Sequence, residues 1–494
     1  MIINLKKYLS VKKEPIAIIF VLKVFLNRHV MKRLFIIIIL ATIAATQAKG
    51  QQQSNILMEP IPQEWFEAEE FFSQSMPDDD FWWKNFEDTL LDSLILIATE
   101  RNLSALTALT NIRIAKAGWR TTQSELFPSI DINAGWTREK ASGNLAQTGD
   151  AEAWYGYFSS ALTMSWQVDV FGKIFKRAQA QKRAFQSTEE EYRAVMVSLC
   201  AEVANAYFSL RQCQAEMEVL RKNAESQKEI MEIVEARYET GFASKLDVAQ
   251  AKSVYYSTLA SIPSMQSNIE QYINSITTLL GLYPGSLNEW LTITRPLPDY
   301  VSAIAVGVPA GLLRRRPDIR AAERSVESKA AMLGATKRDW LPTFYLNGSI
   351  GYSANNLDKL VRGRSMTWEI APTMTWNLFD GGSSVNATME AKAELEQSII
   401  SFNSCVLTAM QEVSNAMSLY KNSLLSIETL KETVRQGEET LQLSVELYKQ
   451  GLTQFQSVLD AQRSLLSYQD NLVRTQGYSL TSLVQLYKAL GGGW

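Results

Sequence analysis

From residue 128 onward, apolar side chains alternate with polar ones. Ile130, Ile132, Ala134 and Trp136 interleave with Asp131, Asn133, Gly135 and Thr137, and a second run sets Phe158, Leu162, Met164, Trp166 and Val168 against Ser159, Thr163, Ser165, Gln167 and Asp169. A period of two is that of a half-buried strand. The pattern returns after residue 342. There Phe344, Leu346, Ile350 and Tyr352 oppose Asn347, Ser349, Gly351 and Ser353, and Trp368, Ile370, Met374, Trp376 and Leu378 oppose Thr367, Glu369, Thr373, Thr375 and Asn377. Strands are expected at about 128–138, 155–169, 342–353 and 367–379. Each pair brackets a polar, glycine-containing segment, 140–149 or 354–364, and reads as a hairpin with a long loop. One polar and one apolar face suit a lipid-facing, water-filled barrel; a soluble sandwich is the competitor. Four strands close neither, and a spanning barrel needs at least eight, so the barrel reading requires several chains to pool strands; a trimer supplies twelve.

Between the strand pairs the period becomes helical. Residues 173–239 and 383–449 contain no proline and are rich in Ala, Glu, Gln, Lys and Leu. As continuous helix each would span about 100 Å, a length suited to coiled-coil packing. Each run stops at a glycine, Gly241 or Gly451, and restarts behind a capping signal, Ser244 before Asp247 and Thr453 before Gln456, both resembling capping boxes. Two helical hairpins, 173–280 and 383–490, are expected, with tips far from the strands.

The chain matches itself. A shift of 210 pairs Ala201-Glu202-Val203-Ala204-Asn205-Ala206 with Gln411-Glu412-Val413-Ser414-Asn415-Ala416, and also Trp166 with Trp376 and Gly241 with Gly451. Upstream, Ala117 and Pro128 match Ala331 and Pro342 at a shift of 214, so four residues are gained in a loop of the first half. A duplicated supersecondary unit follows. The expected division is a leader at 1–48, an extended segment at 49–80, a first repeat at 81–285 and a second at 286–494.

The amino terminus adds a destination. Met31-Lys32-Arg33, an apolar run from Leu34 to Ala45 and small residues to Ala48 have the layout of a secretory signal peptide, too short to span a bilayer, with Met31 as the expected start. Removing 1–48 takes eight basic residues and one acid from totals of 49 and 52, leaving 41 basic against 51 acidic, a net charge near −10. That sign argues against a nucleic-acid partner. The single histidine, His29, lies in the leader. The exported chain therefore lacks imidazole-based triads and metal sites, and neither a cofactor nor a catalytic residue is expected. Cys200, Cys213 and Cys405 fit no disulfide framework and read as helix-packing residues. No cysteine stands near the cleavage site, so no lipid anchor is expected.

Three motifs carry a family resemblance: Trp82-Trp83-Lys84 with Phe86, Asp88, Leu91-Asp92 and Leu94-Ile95; the stretch from Leu313 through Arg314, Arg315, Arg316, Pro317, Asp318, Ile319 and Arg320 to Glu323; and the terminus from Leu486 to Trp494. Together they resemble the outer-membrane efflux protein family, the TolC-like channels of the multidrug and nodulation-factor export branch, over roughly residues 58–494. The resemblance implies a homotrimer in the outer membrane of a Gram-negative cell. Its twelve strands form a β-barrel continued by a long periplasmic α-helical barrel. It further implies docking of a periplasmic adaptor and an inner-membrane transporter at the helical tips, near Gly241 and Gly451. The implied function is a passive export duct for small molecules. A protein-secretion duct and a periplasmic coiled-coil scaffold without a pore are the alternatives.

At the resemblance's periplasmic constriction stands Asp460, where three carboxylates at an axis would repel one another and attract cations; the competing reading is an acid favoured by a helix dipole. Gln456 occupies a position where related channels carry an apolar ring, and either wets the constriction or closes a capping box. Asp247 is read first as a cap and second as a gate residue. Pro317 and Asp318 suit a helix start, and Arg315, Arg316, Asp318, Arg320 and Glu323 are expected to form structural salt bridges, between protomers as the specific guess. Trp136, Trp166, Trp368 and Trp376 are expected at the membrane interface or facing outer-membrane lipid.

Overall fold

The computed structural model describes residues 65, 72–73, 81–140, 154–298, 304–307, 309, 311 and 315–493. The leader, nearly all of 49–80, most of the first polar loop, Leu313, Arg314 and Trp494 lie outside the described residues.

Two long antiparallel strand pairs and two helical hairpins dominate. A short parallel pair, β1 (Phe72–Ser73) with β4 (Ile304–Ala305), lies near α1 (Thr89–Arg101), α2 (Leu103–Ser124) and the single turn α5 (Asn288–Leu291) in the sequence of elements. The main sheet has the order β2-β3-β5-β6, where β2 is Ser129–Lys140, β3 Trp154–Val168, β5 Thr343–Ala354 and β6 Met366–Thr375. All neighbours are antiparallel, with Ser129 opposite Ser165, Leu162 opposite Ile350, and Thr343 opposite Thr375. β3 and β5 join the two halves of the chain, leaving β2 and β6 as edges.

Opposed residues share a face, so the alternation of period two segregates the sheet. On the apolar face Ile132 is 75% exposed and Trp368 70%, so among the described residues no second layer covers it. On the polar face Asn133 donates to Thr163 Oγ1 at 2.9 Å and Ser165 donates to Asn347 Oδ1 at 3.0 Å. β6 is shorter than the alternation suggested. Trp376 and Leu378 lie beyond its last residue, because β5 begins at Thr343 and offers no partner past Thr375.

The long helices start where carboxylates meet backbone donors. Asp169 accepts from the backbone of Ile174 and Phe175 at the head of α3 (Lys173–Glu239), and Asp380 accepts from Gly382 and Ser384 at the head of α7 (Ser383–Lys449). Charge at a helix N-terminus is favoured by its dipole and open N–H groups. α3 and α7 each contain 67 residues; the return helices α4 (Lys245–Leu279) and α8 (Phe455–Ala489) each contain 35. α4 alone carries an internal proline, Pro263, where the shift of 210 places Val473 in α8.

The hairpins form one layer: α4 packs on α3, α8 lies between α3 and α7, and α6 (Pro317–Thr336) bridges α3 and α7. Small and branched residues line the seams, including Ala201, Val203 and Ala204 of α3 and Val413 and Ala416 of α7. Cys200 and Cys213 are buried, Cys405 partly so, and all are unpaired. Burial pushes the Cys200 thiol up to about 12, which suppresses thiolate chemistry.

Candidate gate at the helical tips and the surfaces around it

Both hairpins turn by the same local chemistry. Gly241 (φ 81°) and Gly451 (φ 76°) take the left-handed conformation that ends a helix at little cost only for glycine. The N–H of Phe242 donates to Arg237 O at 2.8 Å and that of Leu452 to Leu447 O at 2.9 Å, satisfying last-turn carbonyls. Phe242 and Leu452 are then thrust outward, 75% and 70% exposed. The turn glycines thus each sit beside a bare apolar side chain.

Beyond the glycines the tips diverge. Ser244 caps α4 in a full capping box: its hydroxyl accepts from Asp247 N at 3.1 Å and the Asp247 carboxylate accepts from Ser244 N at 2.9 Å. The box expected at Thr453 and Gln456 is absent. α8 begins behind Gln454 with no side-chain cap, Thr453 donates instead to Ser457 Oγ, and Gln456 Nε2 donates to Asp460 Oδ1 at 2.8 Å. The physical reason is that a carboxylate four residues on is a stronger acceptor than the weak reward of back-bonding to a cap. Gln456 and Asp460 are both exposed and form one polar pair beside the α7–α8 groove lined by Thr433, Thr440, Ser457 and Ser464.

The two tips are fastened to each other. Ile230 and Val234 of α3, Ala251 of α4, Tyr448 of α7 and Phe455, Val458 and Leu459 of α8 form one buried apolar cluster. Over it, Arg237 Nη1 donates to Lys449 O at 2.6 Å, and the guanidinium lies 4.8 Å from the Tyr448 ring centre. Burial, and then the negative charge of Asp247, push the Tyr448 phenol up. Asp247 therefore serves its cap and also lies in the field of the other hairpin. The sequence reading missed Arg237 and Tyr448; their only signal is placement one turn before the glycines, which does not say that they meet.

The arginine-rich motif makes salt bridges within the chain. Arg316 is buried; it bonds Asp318 and Glu412, each at 2.7 Å, and caps α8 through Ala489 O at 2.8 Å. Arg320 pairs with buried Glu190 of α3 at 2.6 Å. Burial by itself would raise the Asp318 carboxyl, but the Arg316 guanidinium and the backbone N–H of Ile319 outweigh it and hold it below the usual range. These side chains are consumed locally because α6 crosses both α3 and α7, bringing acids of the same chain within reach. Arg315 is half-buried and Glu323 is exposed. The three motifs converge here: Trp82 stacks on Tyr487 at 5.1 Å, and a Cβ on Gly492 would approach Trp82 to 2.9 Å.

Of the expected membrane aromatics, Trp136 and Trp368 stand 56% and 70% exposed on the apolar face. Trp166 is half-buried and donates to Leu126 O at 2.9 Å; Trp376, past the end of β6, donates to Trp340 O at 3.0 Å. These two sit at the end of the sheet nearest the helices. Trp154, at the loop end of β3 with Arg138 and Lys140 over its ring, was not anticipated. Among the described residues no helix is long and apolar enough to cross a membrane.

An open-edged sheet with a bare apolar face, rooted on hairpins about 100 Å long, is the architecture of an outer-membrane channel subunit. The chain belongs to the outer membrane efflux protein family, whose model matches residues 94–282 and 308–492. It is 30% identical over 411 residues to the solvent efflux pump outer membrane protein SrpC of Pseudomonas putida, covering 83% of this chain and 86% of that protein. It is 28% identical over 414 residues to nodulation protein T of Rhizobium leguminosarum bv. trifolii, covering 84% and 88%. Among solved structures, the outer-membrane channel OprN superposes with a TM-score of 0.84 at 29% identity, covering 88% of this chain and 98% of that one.

Proposed function

We propose that three copies of this chain form a passive duct through which a tripartite system expels small molecules across the periplasm and outer membrane. The observation that carries this reading is the sheet: four strands, two open edges, and an uncovered apolar face opposite a polar one. Three such sheets supply twelve strands, enough to close a barrel with its polar face inward. Trp154 and Trp166 lie twelve positions apart on β3. At ~3.3 Å per residue and a tilt of ~45° they would be separated by about 28 Å along the membrane normal, close to the hydrocarbon thickness.

The relatives' names support small molecules as cargo, since several are called solvent, toluene or antibiotic efflux pump outer membrane proteins. The duct itself performs no chemistry, and energy enters through an adaptor and an inner-membrane transporter. Phe242 and Leu452, exposed beside Gly241 and Gly451, are suited to apolar contacts with the adaptor. Asp460, held by Gln456, is the proposed gate residue, because a threefold axis near α8 would bring its copies into mutual repulsion. Asp247 contributes through the cap and the hairpin contact.

Single-channel conductance in a planar bilayer tests this. The unaltered protein is expected to give a small conductance that increases several-fold in Asp460→Ala. Absence of conductance from the folded oligomer in both forms would overturn the duct and favour a periplasmic scaffold.

A further inference from the structure

We infer that Arg138 and Lys140, at the loop end of β2, form with Trp154 a seat for the phosphate group of a lipid in the outer leaflet. This rests on the membrane placement proposed above and names one headgroup contact within it.

The first observation is how charge sorts between the two faces of the sheet. Ile132, Trp136, Arg138 and Lys140 stand opposite Leu162, Phe158, Gly156 and Trp154, so the two cations continue the apolar row and not the polar one. The four long strands contain five charged residues: Asp131, Arg138, Glu139, Lys140 and Glu369. All three acids fall on the polar face, and both bases on the apolar face. Arg138-Glu139-Lys140 thus changes sign in step with the pleat, sending negative charge toward the water-filled side and positive charge toward the lipid.

The second observation is depth. Lys140 is level with Trp154, the outer of the two tryptophans whose separation on β3 approximates the hydrocarbon thickness. Arg138 lies two residues further in, about 5 Å along the membrane normal at ~3.3 Å per residue and a tilt of ~45°. A cation on a lipid-facing surface is costly near the midplane and tolerated near the interface. The arginine side chain is long enough to carry its guanidinium back to headgroup level while its methylenes stay in the apolar zone.

The third is local geometry. Trp154 is 61% exposed, and the Arg138 guanidinium and Lys140 ammonium lie 5.2 and 5.8 Å from its ring centre. One ring therefore holds both cations side by side, at the headgroup level that indole favours. Arginine presents a planar fork to two phosphate oxygens, and lysine adds a point charge. Deeper on the same face, Trp136 and Phe158, with ring centres 6.4 Å apart, continue the apolar surface against which acyl chains would lie. That continuity selects a lipid over free phosphate, because an anion reaching both cations from this side carries its apolar part onto the rings. At the same end of the sheet, the β5–β6 loop adds Lys359, Arg362 and Arg364 against one acid, Asp358. The competing anions are Asp150 and Glu152 of the β2–β3 loop, which lie outside the described residues.

The test follows thermal unfolding of the full-length protein in detergent as lipid A is added, with dephosphorylated lipid A of the same acyl chains and inorganic phosphate as comparisons. Phosphorylated lipid A is expected to raise the unfolding temperature well above the effect of either comparison. In Arg138→Gln with Lys140→Gln, the concentration giving half the effect should rise roughly tenfold, as charge-assisted contacts to phosphate are lost. Arg138→Lys with Lys140→Arg keeps both charges and should respond as the unaltered chain does; a loss there equal to that of the glutamine variant overturns the charge-based contact. Equal responses to lipid with and without phosphate overturn the phosphate contact, and an equal response to inorganic phosphate overturns the lipid as its source. An unchanged half-effect concentration in the glutamine variant overturns the seat and leaves the two cations to Asp150 and Glu152. Separately, the unaltered chain in phosphatidylcholine vesicles is expected to resist carbonate extraction. Extraction would overturn the membrane reading itself, whereas a resistant chain with no preference for phosphate overturns the seat alone.

Discussion

Halfway along α3, Trp82 lies stacked on Tyr487, Arg316 is sealed between Asp318, Glu412 and a helix-end carbonyl, and Tyr207 donates to Asp88. At the tips, the glycine turns leave Phe242 and Leu452 bare, and polar side chains such as Gln456 and Asp460 bond only each other. The motifs that resemble a family most strongly lie at the waist and serve packing. The candidate gate lies where motif density is low. The contrast teaches that a specific motif locates what is packed most tightly, and that the candidate gate at the tips is held by weaker, local contacts.

The contrast can be tested by graded substitution. Trp82→Ala removes a side chain that is 1% exposed and should cost about 3–5 kcal/mol of stability in thermal or denaturant unfolding, the largest effect here. A loss below about 1 kcal/mol would mean the waist is not the anchor. Arg316→Ala should cost about 2 kcal/mol, less than a fully buried pair, because water reaches Asp318 and Glu412. Arg237→Ala at the tips should cost about 1–2 kcal/mol through the lost bond to Lys449 O and the lost contact with Tyr448. Its signature is local: faster amide exchange near Tyr448 and Phe455, with the waist unchanged.

The two tips should also differ from each other. Ser244→Ala should cost about 1 kcal/mol, whereas Thr453→Ala, with no cap to lose, should cost only a few tenths. Equal losses would contradict the capping asymmetry. pH separates waist from tips as well. The Asp318 carboxyl is held below its ordinary value of 3.8 in the folded chain, so its contribution is present above that value and is lost as pH falls through the lower, folded one. Acid unfolding should therefore begin near pH 4 and be blunted in Asp318→Asn, which starts less stable and loses less.

Much of the fold was legible because period is a local property. The switch from alternation to long helical runs, the two stop glycines and the doubled layout needed no partner to be read. The misreadings came from competition among contacts that sequence spacing leaves equal. Thr453 and Gln456 have the spacing of a cap, yet Asp460 takes the Gln456 amide. Trp376 continues an alternation but has no strand to pair with. Arg316 and Arg320 carry charges that any acid would satisfy, and only the crossing of α6 over α3 and α7 selects Glu412 and Glu190.

The sequence by itself determined the four long strands, the four helices of the two hairpins and the two faces of the sheet, because side-chain period and glycine conformational freedom act over a few residues. Tertiary structure decided which distant groups meet: the motifs at the waist, Arg237 on the second hairpin, and the register of β3 on β5. Those choices depend on the geometry of whole helices and strands, across which many pairings of similar chemistry compete and only one packs.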